Sequence, residues 1–270
     1  MEWPHLLELC LAVLPPITPQ TFWRSWVLAP ETLLPLLLLF SLPWLLPRLQ
    51  IHINGLPSGW FRLTAIRSKD LDRTYWLLGC AFLAIALVSP LCRLAAALAW
   101  AHMLQHLILV VLAPLALALG LRPPLEARRS GAGITSFATL LLAAAIWLSH
   151  LPWLYERALQ QEMLHLALLA GLLGSALLFW LTALAAPAIH GMTMIFATIL
   201  HSGLLGALLT FSKRLWYPVF GIGPGLWGLT PMEDQQLAGL IMWVPMGLIL
   251  AASGLWLWLN DLLWSDEPSL

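Results

Sequence analysis

"AHMLQHLILVVLAPLALALG" runs from Ala101 to Gly120, and its reading decides how the chain folds. It is an almost unbroken apolar run of about 20 residues, the length a helix needs to cross a hydrocarbon core about 30 Å thick. Its head breaks the pattern. His102, Gln105 and His106 stand where Leu or Ala would serve a helix with no polar duty. Ionisable groups in lipid are costly and usually face a bundle interior or a cavity. The stretch therefore predicts a membrane-spanning helix that turns a polar stripe toward other helices.

The whole chain agrees. It has 270 residues, 60% hydrophobic and 10% charged, with mean hydropathy +0.85. Soluble domains carry about 25% charged residues, so this composition points to lipid as the solvent. A formal net charge of zero leaves no basic surplus for phosphates and argues against a nucleic-acid partner. Among 16 tryptophans, Trp60, Trp100, Trp153 and Trp216 flank apolar runs as interfacial anchors do. Cys10, Cys80 and Cys92 form no C-x-x-C pair, and nothing in their spacing demands a Cys10–Cys92 bridge.

Seven apolar runs are candidate spans: 30–47, 75–92, 99–120, 133–150, 163–186, 190–211 and 235–259. The first is the weakest, because it contains Pro35 and Pro43. None alternates as a barrel strand would, so the expected fold is all-α, a polytopic bundle of seven transmembrane helices. The domain reading is an N-terminal periplasmic or interfacial segment (1–29) broken at Pro15–Pro16, a helical domain (30–260) and a tail (261–270). Arg48, Arg62, Arg67, Lys69, Arg73, Arg122, Arg128 and Arg129 fall on one side, against Arg24, Arg93, Arg157, Lys213 and Arg214 on the other. The positive-inside rule then puts the N-terminus outside and the C-terminus in the cytoplasm. The long loop after the first run carries the turn signals Asn54-Gly55 and Pro57-Ser58-Gly59. Gly171/Ser175 and Gly203/Ala207 have the spacing of close helix contacts in lipid.

On that map the histidines gather. His102 and His106 begin the third span on the outer side, His150 ends the fourth there, His165 begins the fifth, and Glu233 and Asp234 begin the seventh. His102 and His106, at i and i+4, share one helix face, with Met103 and Gln105 beside them. Two imidazoles so spaced form a common half-site for metal. Imidazole with nearby thioether favours copper, and zinc suits imidazole equally well. His201, between Thr198 and Ser202, lies near mid-span; its simplest use is an interhelical hydrogen bond. His190 ends a helix, and His5 and His52 read as solvated. Thr230, Pro231 and Glu233 match a capping box, which leaves Asp234 free for other work. No Walker loop, G-x-S-x-G, H-E-x-x-H or C-x-x-C-H motif is present.

The segments "HMLQHLILVVLAPLALALG" with "LRPP", "SHLPWLYERALQQEMLHLALLAGLLGSALLFW", "LLGALLTFSKRLWYPVF" and "GLTPMEDQQLAGLIMWVP" together closely resemble the CtaG-type multi-span cytochrome c oxidase assembly factors, over roughly residues 95–250. The resemblance implies a seven-helix protein of the bacterial inner membrane that matures a haem–copper oxidase by handling copper. It sets His102, His106, His150, His165, Asp234, Gln235, Met242 and Trp243 on motif positions, and His201 in a matching segment.

The leading expectation is a copper-binding assembly factor, not an enzyme. Copper, as Cu(I) or Cu(II), would be held by His102, His106 and His165, with His150, Asp234 or a methionine completing the shell. Met103, His201 and Met242 are additional candidates, and Gln105, Gln161 and Gln235 would fix the imidazole tautomers from behind. The partners would be a haem–copper oxidase subunit or a periplasmic copper chaperone; a homo-oligomer stays open. The rivals are a haem-binding redox protein, which needs axial histidines on facing helices, a metal-free scaffold, and a copper permease with His201 and His190 along its path.

Overall fold

The computed structural model describes residues 17–49, 71–121 and 131–265. The expectations placed on His5, Cys10, Pro15–Pro16, His52, the 54–59 turn signals, Trp60 and the basic residues Arg62, Arg67, Lys69, Arg122, Arg128 and Arg129 lie outside them. The described residues are all-helical, with no strand. The helices are α1 (Pro30–Leu49), α2 (Arg73–Leu87), α3 (Pro90–Ala95), α4 (Ala99–Leu121), α5 (Ala132–Ser149), α6 (Pro152–Ala158), α7 (Glu162–Ala185), α8 (Ala188–Phe211) and α9 (Pro231–Ser265). Each of the seven apolar runs is helical over most of its length. Five of the helices are long and apolar enough to cross a membrane (α4, α5, α7, α8 and α9), while Pro30–Leu45 of α1 and all of α2 are shorter apolar helices.

The second and the last runs depart from their expected bounds, for readable reasons. The second run was expected to continue to residue 92, but α2 stops at Leu87. Ser89 accepts from the Leu91 N–H at 3.2 Å and Pro90 opens α3, so a new helix begins where proline can no longer continue the old one. The last helix begins at Pro231 and ends beyond 259, at Ser265. The expected capping box starts it: the Thr230 N–H donates to Glu233 at 2.8 Å and the Glu233 N–H donates to Thr230 Oγ1 at 3.2 Å. Pro245 sits inside α9 without ending it, and the prolines of α1 likewise leave it helical. In lipid the helix is the only cheap way to satisfy backbone groups, so proline is absorbed.

Helix α4 is central. In its most apolar window 72% of residues are buried, against 22% for α9. A helix enclosed by protein can carry a polar stripe on any face, which is why His102, Gln105 and His106 are tolerated there. Within α4, Ile108–Leu112 form a π-helical segment, and the Trp180 indole of α7 donates to the Val110 carbonyl at 2.9 Å. Gln105 donates to the Ala86 carbonyl at 2.8 Å and ties α4 to α2.

The tightest pair is α8 with α9. A Cβ on Gly206 would lie 2.8 Å from the Gly239 carbonyl, so these backbones touch. That glycine pair, rather than Gly203/Ala207, makes the close contact, although Gly203 does face Trp243. Gly171 has open space around it and packs against nothing. Between α8 and α9 the chain makes a 3-10 turn, Pro218–Phe220, and one helical turn, Gly223–Leu226. Gly223 abuts the Ala97 carbonyl, leaving no room for a Cβ, and seats this segment on the α3–α4 junction. Cys92, in α3, is disulfide-bonded, whereas Cys80 is a buried free thiol.

Candidate functional site

The first turn of α4 is held from another helix. Its N-cap residue, Leu98, has no side chain able to cap. Asp234 of α9 does the work: the Ala99 N–H donates to Oδ2 at 2.8 Å and the Trp100 N–H to Oδ1 at 3.0 Å. A carboxylate at the positive end of a helix, taking charge-assisted bonds, fixes the start of α4 against α9. One turn further on, His102 and His106 present their rings to the interior, with centroids 4.3 Å apart.

Three other helices close around that pair. His150, the residue after α5, meets the His106 ring edge-on at 5.1 Å. His165, in the first turn of α7, lies within electrostatic range of both His102 and His106. Its Nε2 is buried with no hydrogen-bond partner among the described residues. Tyr155 of α6 lies 4.6 Å from the His102 ring. So the four histidines lie at one end of the bundle, on α4, just after α5 and on α7, with the His102, His106 and His150 rings in mutual reach through His106.

The tautomer of His150 follows from its neighbours. Its Nδ1 is 2.7 Å from the Ile146 carbonyl oxygen. A carbonyl only accepts, so Nδ1 carries the proton. His150 is 3% exposed and no carboxylate among the described residues lines the cavity beside it; a buried cation without a counter-charge is costly, so the ring is neutral. Nε2 is then a bare lone pair. It faces Met103 Sδ at 3.3 Å.

A cavity lies beside this contact, with room for about one water-sized particle. It is lined by Ala99, His102, Met103, Ser149, His150, Tyr155, Leu209, Tyr217, Phe220, Gln235 and Ala238. Tyr217 and Phe220 come from the α8–α9 segment and pack with Tyr155 as a cluster of three rings. Tyr217 donates to the His150 carbonyl at 2.7 Å. Burial pushes both phenols above their ordinary pKa; for Tyr155 the neighbouring Tyr217 and Asp234 add to that. Both therefore stay protonated donors.

Other expected members stand elsewhere or are otherwise engaged. Asp234 uses both carboxylate oxygens on α4. Gln105 is bonded to Ala86 rather than to an imidazole, and Gln161 is exposed at the start of α7. Gln235 accepts from the Trp216 N–H at 2.6 Å and donates to the Arg214 carbonyl at 3.0 Å, so it staples the α8–α9 segment. Met242 is buried in the core, away from the cavity lining. His201 lacks the expected interhelical hydrogen bond: both ring nitrogens are buried without a partner among the described residues. His190 is exposed.

The donors able to hold a metal here are therefore imidazoles and one thioether, a set that suits a soft cation. Among the described residues, no three His, Cys, Asp or Glu side chains stand close enough as placed to hold one ion. The aromatic cluster of Tyr155, Tyr217 and Phe220 was not anticipated. "PWLYER" and "WYPVF" do signal aromatics near helix ends, but not that they meet.

A family model described as cytochrome c oxidase caa3 assembly factor (Caa3_CtaG) matches residues 57–261. No curated protein and no solved structure matches the chain.

Proposed function

The chain belongs to the cytochrome c oxidase caa3 assembly factor family, and from that premise we propose that it binds copper as cargo at the outer face of the bacterial inner membrane and passes it to a haem–copper oxidase subunit during assembly. It does so as a binding protein rather than an enzyme, with a periplasmic copper chaperone as the supplier. His102, His106, His150 and His165 hold the ion. The observation that carries this reading is four buried imidazoles gathered at one end of the bundle, one of them with an Nε2 that has no partner among the described residues. A buried polar atom without a partner is costly, and a cation bound by that nitrogen in its unprotonated tautomer would remove the cost. Four neutral donors with no carboxylate among them hold a cation without a fixed counter-charge, which favours later release.

In this reading α1 and α2 also span the bilayer, which gives seven spans with the N-terminus outside and the C-terminus cytoplasmic. Cys92 supports that orientation. Disulfides persist on the oxidising side of the membrane, and Cys92 lies in α3, at the same end as the histidines.

One observation favours a metal-free scaffold instead: no three His, Cys, Asp or Glu side chains among the described residues already form a shell. Metal analysis of the purified full-length protein decides between the two. After loading and desalting, the wild type is expected to retain about one copper per chain, and His102→Ala/His106→Ala to fall to background. Equal copper in both proteins, or none in either, ends the copper reading.

A further inference from the structure

The lone pair of His150 Nε2 and the sulfur of Met103 face one another with no hydrogen between them. Nδ1 of the same ring is committed to the Ile146 carbonyl at 2.7 Å. The Nε2 to Sδ distance is 3.3 Å, and both residues are almost fully buried, at 3% and 4% exposure. Two acceptors in contact gain nothing from each other. A cation between them would turn that neutral or repulsive contact into two bonds. The spacing already fits. With metal bonds of about 2.0 Å to imidazole nitrogen and about 2.3 Å to sulfur, donors about 3.3 Å apart subtend an angle near 100° at the ion, as two members of a three- or four-donor shell do.

We infer that Met103 and His150 form a preset soft half-site that makes this centre selective for a monovalent, thiophilic ion, Cu(I), with Met103 as the specificity-determining residue. This rests on the copper reading above and goes beyond it by naming the oxidation state and the sulfur donor. Three further facts agree. The cavity opens beside this pair and has His102 on its wall, so a third donor is at hand. Imidazole alone suits zinc and divalent copper as well, and thioether sulfur is what separates Cu(I) from them. His165 Nε2, buried and without a hydrogen-bond partner among the described residues, is a further ring nitrogen within electrostatic range of His102 and His106.

The test uses the full-length protein in detergent, with Cu(I) titrated against a chromophoric Cu(I) chelator and Zn(II) titrated in parallel. Met103→Leu conserves volume, so the core is expected to stay intact. The expected result is a loss of Cu(I) affinity of tenfold or more with Zn(II) affinity changed less than about twofold. Copper-edge X-ray absorption on the wild type should show a sulfur scatterer that Met103→Leu lacks. If wild type and variant bind Cu(I) equally, the inference fails while the copper reading stands. A wild-type copper shell without sulfur overturns it regardless of how the variant folds. If the wild type binds neither ion, both fall together.

Discussion

Two places in the bundle bury imidazole, and they are built differently. At the histidine end, supports reach the cluster from several helices: Asp234 anchors the turn below His102, Ile146 orients His150, and Tyr217 donates to the His150 backbone. Farther along α8, His201 is half-buried, with both ring nitrogens buried and without a partner among the described residues. The first is a constellation supported from several helices. The second is a solitary polar ring. The contrast separates a site from an accident of composition, and it can be tested by asking what each region loses when its supports are removed.

The largest effect should come from Asp234→Ala. It leaves the Ala99 and Trp100 N–H groups without their carboxylate in a buried setting. A buried donor left unsatisfied costs about 1–3 kcal/mol, so the pair should cost about 4 kcal/mol in stability. Copper binding should fall with it, because His102 and His106 ride on the turn that Asp234 holds. Thermal unfolding in detergent and metal content would both read this out. Asp234→Asn should recover part of the loss, since one oxygen can still accept. Unchanged copper binding in Asp234→Ala would show that the cluster does not depend on this anchor.

Next comes Gly206→Ala. Its Cβ would press against the Gly239 carbonyl and the Trp243 backbone, which are not free to move aside. Overpacking of this kind costs about 1–3 kcal/mol. Because it strains the α8–α9 pair without touching an imidazole, stability should drop while copper per folded chain stays the same. Equal loss of both would mean the cluster depends on packing throughout the bundle.

How much of this could be read from the sequence depends on how local each cause is. Helix ends set depth, so placing His102, His106, His150 and His165 at one end of the bundle needed only apolar runs and their boundaries. The capping box at Thr230 and Glu233 is local and was legible for the same reason. The break at Ser89-Pro90 was legible too, as an N-cap followed by proline, but the apolar run concealed it. Asp234 was not. Its partners, Ala99 and Trp100, are more than a hundred residues away in the chain, and no spacing rule reports a helix capped from a different helix. The Gly206–Gly239 contact depends on the register of two packed helices, which the small-residue pattern at Gly203/Ala207 misplaces by less than a turn. The Met103–His150 contact needs both registers and a tautomer, and only coordinates supply those.

Tyr217→Phe should have a smaller effect. It removes one buried hydrogen bond to the His150 carbonyl and keeps the ring that packs on Tyr155 and Phe220. A neutral hydrogen bond is worth about 1 kcal/mol net, and the unfolding midpoint should fall accordingly. The segment between α8 and α9 would then be less firmly held over the cavity, so copper should exchange faster with a competing chelator while equilibrium occupancy changes little. Slower exchange would mean the segment opens by another route.

The smallest effect, and the one that tests the contrast most directly, is His201→Leu. With both ring nitrogens buried and without a partner among the described residues, the N–H and the lone pair both go unmet, and each such group costs stability rather than adding it. Leucine supplies comparable apolar volume and leaves nothing unsatisfied. Neighbouring Thr198 and Ser202 already bond within α8, to the Met194 and Thr198 carbonyls, and do not need the imidazole. The variant should therefore be as stable as the wild type or more so by about 1 kcal/mol, with copper binding unchanged. A loss of copper transfer would place His201 on a path leading from the cluster toward mid-bilayer, and the two buried imidazole regions would then be parts of one device rather than opposites.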